Sequence, residues 1–119
     1  MATLRTEETE QKYQKYKDEG QLANGCNLCD KAPTIKEFKY WKIVETLFPW
    51  DRIARVQHMI VPKRHVVYED LNKKEKKEFD EIRREYIEQE YEIMAESTDR
   101  IKTIPQHFHV HLIVLKDKI

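Results

Sequence analysis

The sequence predicts an α+β protein in which an antiparallel sheet carries one long packed helix, with a further helix at the N-terminus. Three observations predict this class. The chain has 119 residues, 39% of them hydrophobic, which is enough for one modest core. Three segments are rich in branched and aromatic residues, and a long charged segment repeats its apolar residues at helical spacing. We therefore expect a single domain over 1–119, with a helical extension over 1–23 and a core over 24–119.

The N-terminal helix is predicted over Glu7–Glu19, where Tyr13 and Tyr16 share one face of an otherwise polar segment. Gly20 should end it, because glycine readily adopts the left-handed conformation that closes helices. The chain starts without an apolar signal segment, and no later segment is apolar enough to cross a bilayer. We therefore expect a cytoplasmic protein with no membrane partner.

The charges of the chain are balanced, with 22 basic and 22 acidic residues. No overall basic field is available for nucleic acid, so any anion must be bound locally. The run Lys73–Lys77 mixes lysines with a glutamate, and such runs are typical of a solvated helix face. We therefore do not expect nucleic acid as a partner.

Three strands and one long helix are predicted in the core. The first strand covers Glu37–Thr46, and the second covers Ile53–Val61 and stops at Pro62, which has no amide hydrogen. One surface helix covers Glu69–Ser97, where apolar residues follow a helical period among lysine, arginine and glutamate. The last strand covers His107–Leu115.

Histidines alternate along the last predicted strand, at His107, His109 and His111. Successive strand side chains point to opposite faces, so the three imidazoles share one face at spacings of roughly 6.5–7 Å. The opposite face would carry the core residues Phe108, Val110, Leu112 and Val114. Two chemistries compete for this array: all three histidines bind one metal, or one attacks phosphorus while the others bind phosphate oxygens or a metal.

The two cysteines of the chain form a Cys-x-x-Cys pair, Cys26 and Cys29. A structural disulfide would be rare in a cytoplasmic protein, so metal binding and redox chemistry come first and free thiols remain an alternative. A redox pair would normally open a helix within a βαβ unit, and the predicted elements contain no such unit.

Two motifs carry a family resemblance. The segment His107–Val114 (His-Phe-His-Val-His-Leu-Ile-Val) resembles the signature of the histidine triad superfamily of nucleotide hydrolases and transferases. The segment His58–His65 (His-Met-Ile-Val-Pro-Lys-Arg-His) resembles the upstream strand of that family, and the predicted helix lies between the two motifs as it does there. The resemblance covers residues 24–119. It implies the histidine triad fold, a nucleotide or nucleoside phosphate as substrate, and a homodimer.

The resemblance also implies an activity and a set of site residues. His109 would attack an α-phosphate and form a nucleotidyl-histidine intermediate, while His111 donates to phosphate oxygens as charge builds. The protein would thus be a nucleotidyl hydrolase or transferase acting on a phosphate ester, anhydride or phosphoramidate. The substrate-binding candidates are His58 as a further imidazole, Thr46 and Asp51 for the ribose, and Phe48 and Trp50 for the base.

A zinc-containing branch of the family, and the related galactose-1-phosphate uridylyltransferases, complete a cysteine knuckle with two histidines. The ligands implied here are Cys26, Cys29, His65 and His107. They would form a closed structural Zn²⁺ site, for which two thiols and two imidazoles are an ordinary ligand set. This assignment leaves His109 and His111 for the chemistry.

The sequence departs from the family just before the triad. Many family hydrolases have Gly-Gln-Ser or Gly-Gln-Thr there, with a hydroxyl that helps the leaving group, whereas this chain has Lys102, Thr103 and Ile104. One alternative is therefore a zinc-stabilised nucleotide-binding or interaction protein with little or no catalysis. Another is a structural protein in which the three histidines hold the metal.

Overall fold

The computed structural model describes residues 3–21, 25–100 and 104–117. Its strands form one five-stranded antiparallel sheet in the order β1-β2-β3-β5-β4, and helices flank the sheet, so the predicted α+β class is confirmed. The strands are β1 (Thr34–Glu37), β2 (Trp41–Glu45), β3 (Ala54–Pro62), β4 (Ile93–Ala95) and β5 (Val110–Leu115). The α-helices are α1 (Glu7–Asp18), α2 (Lys73–Ile82) and α3 (Glu88–Glu90). None of the described helices has the length and apolar character needed to cross a membrane.

The N-terminal helix agrees with its prediction to within one residue. Thr6 begins α1 by accepting the amide hydrogen of Thr9 on its hydroxyl oxygen. Gly20 lies just beyond the last turn with φ of +77°, the left-handed conformation that favours glycine. Tyr13 is the buried side chain of α1, so the face of the helix that carries Tyr13 is the one that packs against the rest of the protein.

The strand predicted over Glu37–Thr46 is confirmed only for Trp41–Glu45, which forms β2, because the chain turns between β1 and β2 just before Trp41. The turn amides have partners outside the sheet: the Glu78 carboxylate of α2 accepts from Lys39 N at 3.2 Å and from Tyr40 N at 2.7 Å. A distant carboxylate thus stabilises a turn that local residue preferences do not indicate. The next strand lies within one residue of its prediction, and Pro62 is its last member.

The helix predicted over Glu69–Ser97 is wrong at both ends. Helix α2 begins after Asn72, because the Asn72 side chain accepts from Glu75 N at 2.8 Å and the Glu75 carboxylate accepts from Asn72 N at 2.9 Å. The helix continues through a π-helical turn and α3, and it ends at Glu90.

Strand β4 replaces the last part of the predicted helix. Ile93 pairs with Ile113 and Ala95 with His111, so β4 covers an edge of β5 that would otherwise present unpaired amides and carbonyls. The short segment has little burial to favour a helix, because Ile93 is exposed and Met94 and Ala95 are only half-buried. Sheet completion therefore decides its conformation.

The sheet packs on both faces. The helix-side core joins sheet residues to α2 and the turn after it, and it consists of Trp41, Ile43, Ile60, Leu71, Ile82, Ile87, Phe108, Val110 and Leu112. The opposite face packs against the segment that carries the cysteines, with a cluster of Leu28, Ala32, Val44, Met59 and Val61. The predicted placement of Phe108, Val110 and Leu112 in the core is confirmed, whereas Val114 is only half-buried.

The last predicted strand, His107–Leu115, begins three residues late, at Val110. Phe108 N donates to the Val66 carbonyl at 2.8 Å instead of to the sheet ladder. His107 and His109 therefore precede β5, and only His111 belongs to it. This arrangement brings His107 close to the end of β3.

Candidate metal centre and histidine site

Four side chains from three separate parts of the chain meet on the face of the sheet that packs against the cysteine-bearing segment. Their ligand atoms all lie within 4.8 Å of one another, and the residues are Cys26, Cys29, His65 and His107. His107 Nδ1 lies 3.4 Å from the sulfur of Cys26 and 3.3 Å from that of Cys29. His65 Nδ1 lies 3.3 Å from the Cys29 sulfur.

This cluster has the dimensions and chemistry of a metal site. In a tetrahedral site with ligand bonds of about 2.0–2.3 Å, neighbouring ligand atoms lie about 3.3–3.8 Å apart. The sulfur–nitrogen distances of 3.3–3.4 Å fall in that range. His107 Nε2 donates to the Pro62 carbonyl at 2.8 Å, which leaves its lone pair on Nδ1, toward the thiols. The four residues can therefore hold a metal ion.

The sequence around the cysteines folds into a tight knuckle. The Cys26 carbonyl accepts from the amides of Cys29 and Asp30, both at 3.2 Å, which brings the two cysteines to the same side of the turn. The buried Leu28 between them anchors the turn on the sheet. Lys42 of β2 donates to the Cys29 carbonyl at 3.2 Å and ties the knuckle to the sheet from a second direction.

Two residues of the cluster, Cys29 and His107, have pKa values shifted from their ordinary ones. Burial and the neighbouring Cys26 raise the pKa of the Cys29 thiol to about 11, so this thiol keeps its proton at neutral pH without a metal. Burial lowers the pKa of His107 below its ordinary value and keeps the ring neutral, the form that binds metals. Metal binding should therefore release a thiol proton.

His109 lies beside this cluster and does not belong to it. Its ring is only 6% exposed, and Nδ1 donates to the backbone carbonyl of His107 at 2.9 Å. A carbonyl oxygen only accepts, so Nδ1 carries a hydrogen, and in the neutral form of the ring the lone pair is then on Nε2.

Two residues contact His111: Gln57 from β3 and Trp50 from the loop before that strand. Gln57 Nε2 lies 2.9 Å from His111 Nδ1, and the Trp50 ring lies against the imidazole with 4.4 Å between centroids. Burial, followed by the nearby His109 and Arg5, lowers the pKa of His111 to about 3. His111 is therefore neutral over the physiological pH range. Its ring meets that of His109 edge to face, with 5.4 Å between centroids.

The expected position of His58 beside these histidines is wrong. His58 pairs with Leu112 of the helix-side core, whereas His111 pairs with Met59, so the two imidazoles lie on opposite faces of the sheet. Tyr91 explains the position of His58: its hydroxyl lies 2.7 Å from His58 Nδ1. Burial raises the pKa of Tyr91 to about 12, and burial lowers that of His58, so the phenol donates to a neutral ring.

Gln57 takes the place that we expected for His58, and sequence reasoning missed it. It precedes His58 on β3 and therefore faces the other side, where its side chain is buried at 6% exposure. The available signal was its alternation with Met59 and Val61, two apolar residues of the same face. A polar side chain in such a row needs a hydrogen-bond partner.

Asp51 is occupied by a structural task, which contradicts its expected role as a ribose ligand. Its carboxylate accepts from Thr6 N at 2.7 Å, from the Thr6 hydroxyl at 3.0 Å and from the Thr9 hydroxyl. Although burial raises the pKa of Asp51, these hydrogen bonds lower it below its ordinary value. Asp51 thus fastens the N-terminus of α1 to the loop before β3.

The three other substrate-binding candidates differ in their surroundings. Phe48 packs against the rings of Tyr13 and Tyr16, with centroids 5.4 and 5.0 Å away. Trp50 lies on His111 at the histidine site. The Thr46 hydroxyl oxygen is buried and has no hydrogen-bond partner among the described residues.

The residues that replace the family's Gly-Gln-Ser element fall mostly outside the described part of the chain, since Lys102 and Thr103 are not described. Ile104 packs against the apolar cluster beneath the knuckle. No protein-family model matches this chain, and no curated protein matches it either.

Proposed function

We propose that the protein is a nucleotidyl hydrolase or transferase of the histidine triad kind, with His109 as its nucleophile. The observation that carries this proposal is the hydrogen bond from His109 Nδ1 to the His107 carbonyl, because it leaves the lone pair on Nε2. A neutral imidazole with its lone pair on one defined nitrogen is a competent nucleophile near neutral pH. The antiparallel sheet with a helix between its two histidine-bearing segments also agrees with that family's fold.

The reaction has two displacement steps at the α-phosphorus of a nucleoside phosphate ester, anhydride or phosphoramidate. In the first, His109 Nε2 forms a bond to phosphorus, and the bond to the leaving group breaks with its electron pair. The positive charge that develops on the ring is stabilised by the His107 carbonyl at Nδ1. In the second, water or another acceptor attacks phosphorus and loses its proton, and the P–N bond breaks to restore neutral His109.

His111 supports both steps as a hydrogen-bond donor. Its Nδ1 faces the NH₂ group of Gln57, which only donates. The ring hydrogen of His111 is therefore on Nε2, where it can be donated to a phosphoryl oxygen. Donors that are already oriented where negative charge builds are worth more in a site from which water is excluded. The 8% exposure of His111 agrees with such a site.

We propose Zn²⁺ as the ion of the four-residue cluster. Cys26, Cys29, His65 and His107 would hold it, and this closed set of ligands leaves no position for a substrate. When bound, zinc supplies structural stability and not chemistry. The protein then uses the fixed His107 backbone to orient His109.

The test is a panel of dinucleoside polyphosphates and nucleoside phosphoramidates, with release of nucleoside monophosphate as the readout. His109→Asn should abolish release while the fold and the metal content stay intact. The matched control is His58→Asn, which removes an imidazole from the opposite face of the sheet and should retain turnover. Unchanged turnover in His109→Asn would contradict the mechanism.

A second candidate is a zinc-stabilised nucleotide-binding or interaction protein with little or no catalysis. The missing Gly-Gln-Ser element favours it, because the hydroxyl that helps the leaving group in many family hydrolases is absent from its expected place. Binding of a nucleoside monophosphate by isothermal titration calorimetry, with no turnover on the whole panel, would select this function.

A further inference from the structure

A chain of hydrogen bonds leads from the backbone of Trp50 through Gln57 to His111. The Trp50 amide nitrogen lies 2.6 Å from Gln57 Oε1. A backbone N–H only donates, so the oxygen of the Gln57 amide must face Trp50. The NH₂ group of the same amide therefore faces His111 Nδ1, at 2.9 Å.

This orientation decides where His111 carries its hydrogen. An amide NH₂ only donates, so His111 Nδ1 must accept and has no hydrogen of its own. A neutral imidazole carries one ring hydrogen, which is then on Nε2.

The alternative orientation of the amide is unfavourable. If Gln57 were flipped, its NH₂ group would face the Trp50 N–H, and two donors would oppose each other in a buried site. Gln57 is 6% exposed and His111 is 8% exposed, so water cannot easily compensate either group. The Trp50 ring, tilted by 36° on the imidazole, also limits rotation of His111.

We propose that Gln57 is a positioning residue that holds His111 in its neutral Nε2–H form and so makes it a donor at the histidine site. Trp50 contributes twice to this, through its amide and through its ring. Gln57 touches no reacting atom. Its role rests on the proposed function only for the catalytic consequence, because the tautomer of His111 follows from the hydrogen bonds alone.

The first test is made on the unmodified protein. Zinc-loaded protein labelled with ¹⁵N-histidine is studied by long-range ¹H–¹⁵N correlation spectroscopy, with His111→Phe used to assign the resonances. We expect an unprotonated Nδ1 and a protonated Nε2 for His111, unchanged between about pH 6 and 8. A hydrogen on Nδ1 would overturn the proposal.

The second test reverses the polarity of the hydrogen bond. In Gln57→Glu one carboxylate oxygen still accepts from the Trp50 amide, but the other demands a hydrogen on His111 Nδ1. We expect His111 to become the Nδ1–H tautomer or the imidazolium. Gln57→Met is the matched control of similar volume, and it should leave His111 as a mixture of tautomers. Wild-type nitrogen signals in folded Gln57→Glu would contradict the proposal, and if that variant does not fold, the unmodified protein still decides.

Turnover provides a separate readout. We expect Gln57→Glu to lower kcat by about 100-fold, the usual effect of losing one oriented donor, with unchanged zinc content. If His111 has the expected tautomer but the protein has no turnover, the proposed function is contradicted and the positioning role of Gln57 is still supported. If the protein has turnover but His111 carries its hydrogen on Nδ1, only the positioning role of Gln57 is contradicted.

Discussion

His109 donates from Nδ1 to the backbone carbonyl of His107 at 2.9 Å, and His107 itself belongs to the metal cluster. His107 thus has two connections: its own Nδ1 faces the thiols, and its carbonyl orients the next imidazole. The candidate metal site and the histidine site are therefore connected through this residue.

Loss of a ligand should therefore lower both metal content and stability. We expect Cys29→Ser to bind well below about one metal ion per chain and to lower Tm by on the order of 10 °C, because the binding energy of the proposed structural metal would add to the folding free energy. Elemental analysis and scanning calorimetry measure the two effects. A chelator should lower the Tm of the wild type toward that of the variant. No effect of the chelator on the metal-loaded wild type would contradict a structural metal.

Removal of the Tyr91 hydroxyl should affect stability alone. Tyr91→Phe loses the 2.7 Å hydrogen bond to His58 on the helix side of the sheet. We expect a loss of about 1 kcal/mol in the free energy of unfolding, measured with urea, and no change in metal content or turnover. Tyr68→Phe, at a ring that is 55% exposed, is the control and should leave stability unchanged. A large fall in turnover of Tyr91→Phe would show that the His58 pair acts on the histidine site.

Asp51→Ala should weaken the attachment of α1. The variant loses the carboxylate that accepts from the amide and hydroxyl of Thr6 and from Thr9, and we expect a cost of about 2 kcal/mol. Hydrogen exchange should accelerate in α1 and remain slow in β3 and β5. Asp18→Ala, at an exposed position of the same helix, is the control. Because the pKa of Asp51 in the fold lies below its ordinary 3.8, this contribution is present above pH 3.8 and lost as the pH falls.

Acid should destabilise the protein through His111. An unfolded histidine has a pKa of 6.5, whereas burial lowers that of His111 in the fold to about 3. Between these values the unfolded chain binds a proton that the folded chain does not, so stability falls as the pH falls from 6.5 toward 3. We expect His111 to contribute a slope of up to about 1.4 kcal/mol per pH unit.

Urea unfolding between about pH 4 and 7 measures this slope. His111→Phe should show a shallower dependence than the wild type, and subtraction of the two curves cancels the contribution of the metal site that both proteins share. Equal slopes would contradict a neutral, buried His111.

Local features were predictable where a short stretch of chain decides the conformation. Helix α1 and its termination at Gly20 follow from helical spacing and from the ease with which glycine adopts positive φ. The placement of Val110 and Leu112 in the core follows from alternation along β5, and Phe108 is buried with them although it precedes that strand. The ligand set of the metal cluster required the family resemblance, since Cys26 and His107 lie 81 residues apart.

Tertiary structure alone decided which side chains meet the histidines. His58 and Gln57 are neighbours in the chain, and only the register of β3 against β5 shows that Gln57 faces His111. A shift of one residue exchanges the two faces of a strand, so a motif with a histidine in it does not reveal where that histidine points. The same limit applies to Asp51, whose partners lie 42–45 residues earlier. Residue types and their spacing thus determined the class of chemistry, while packing and register determined which atoms can take part, because contacts between distant segments depend on the whole fold.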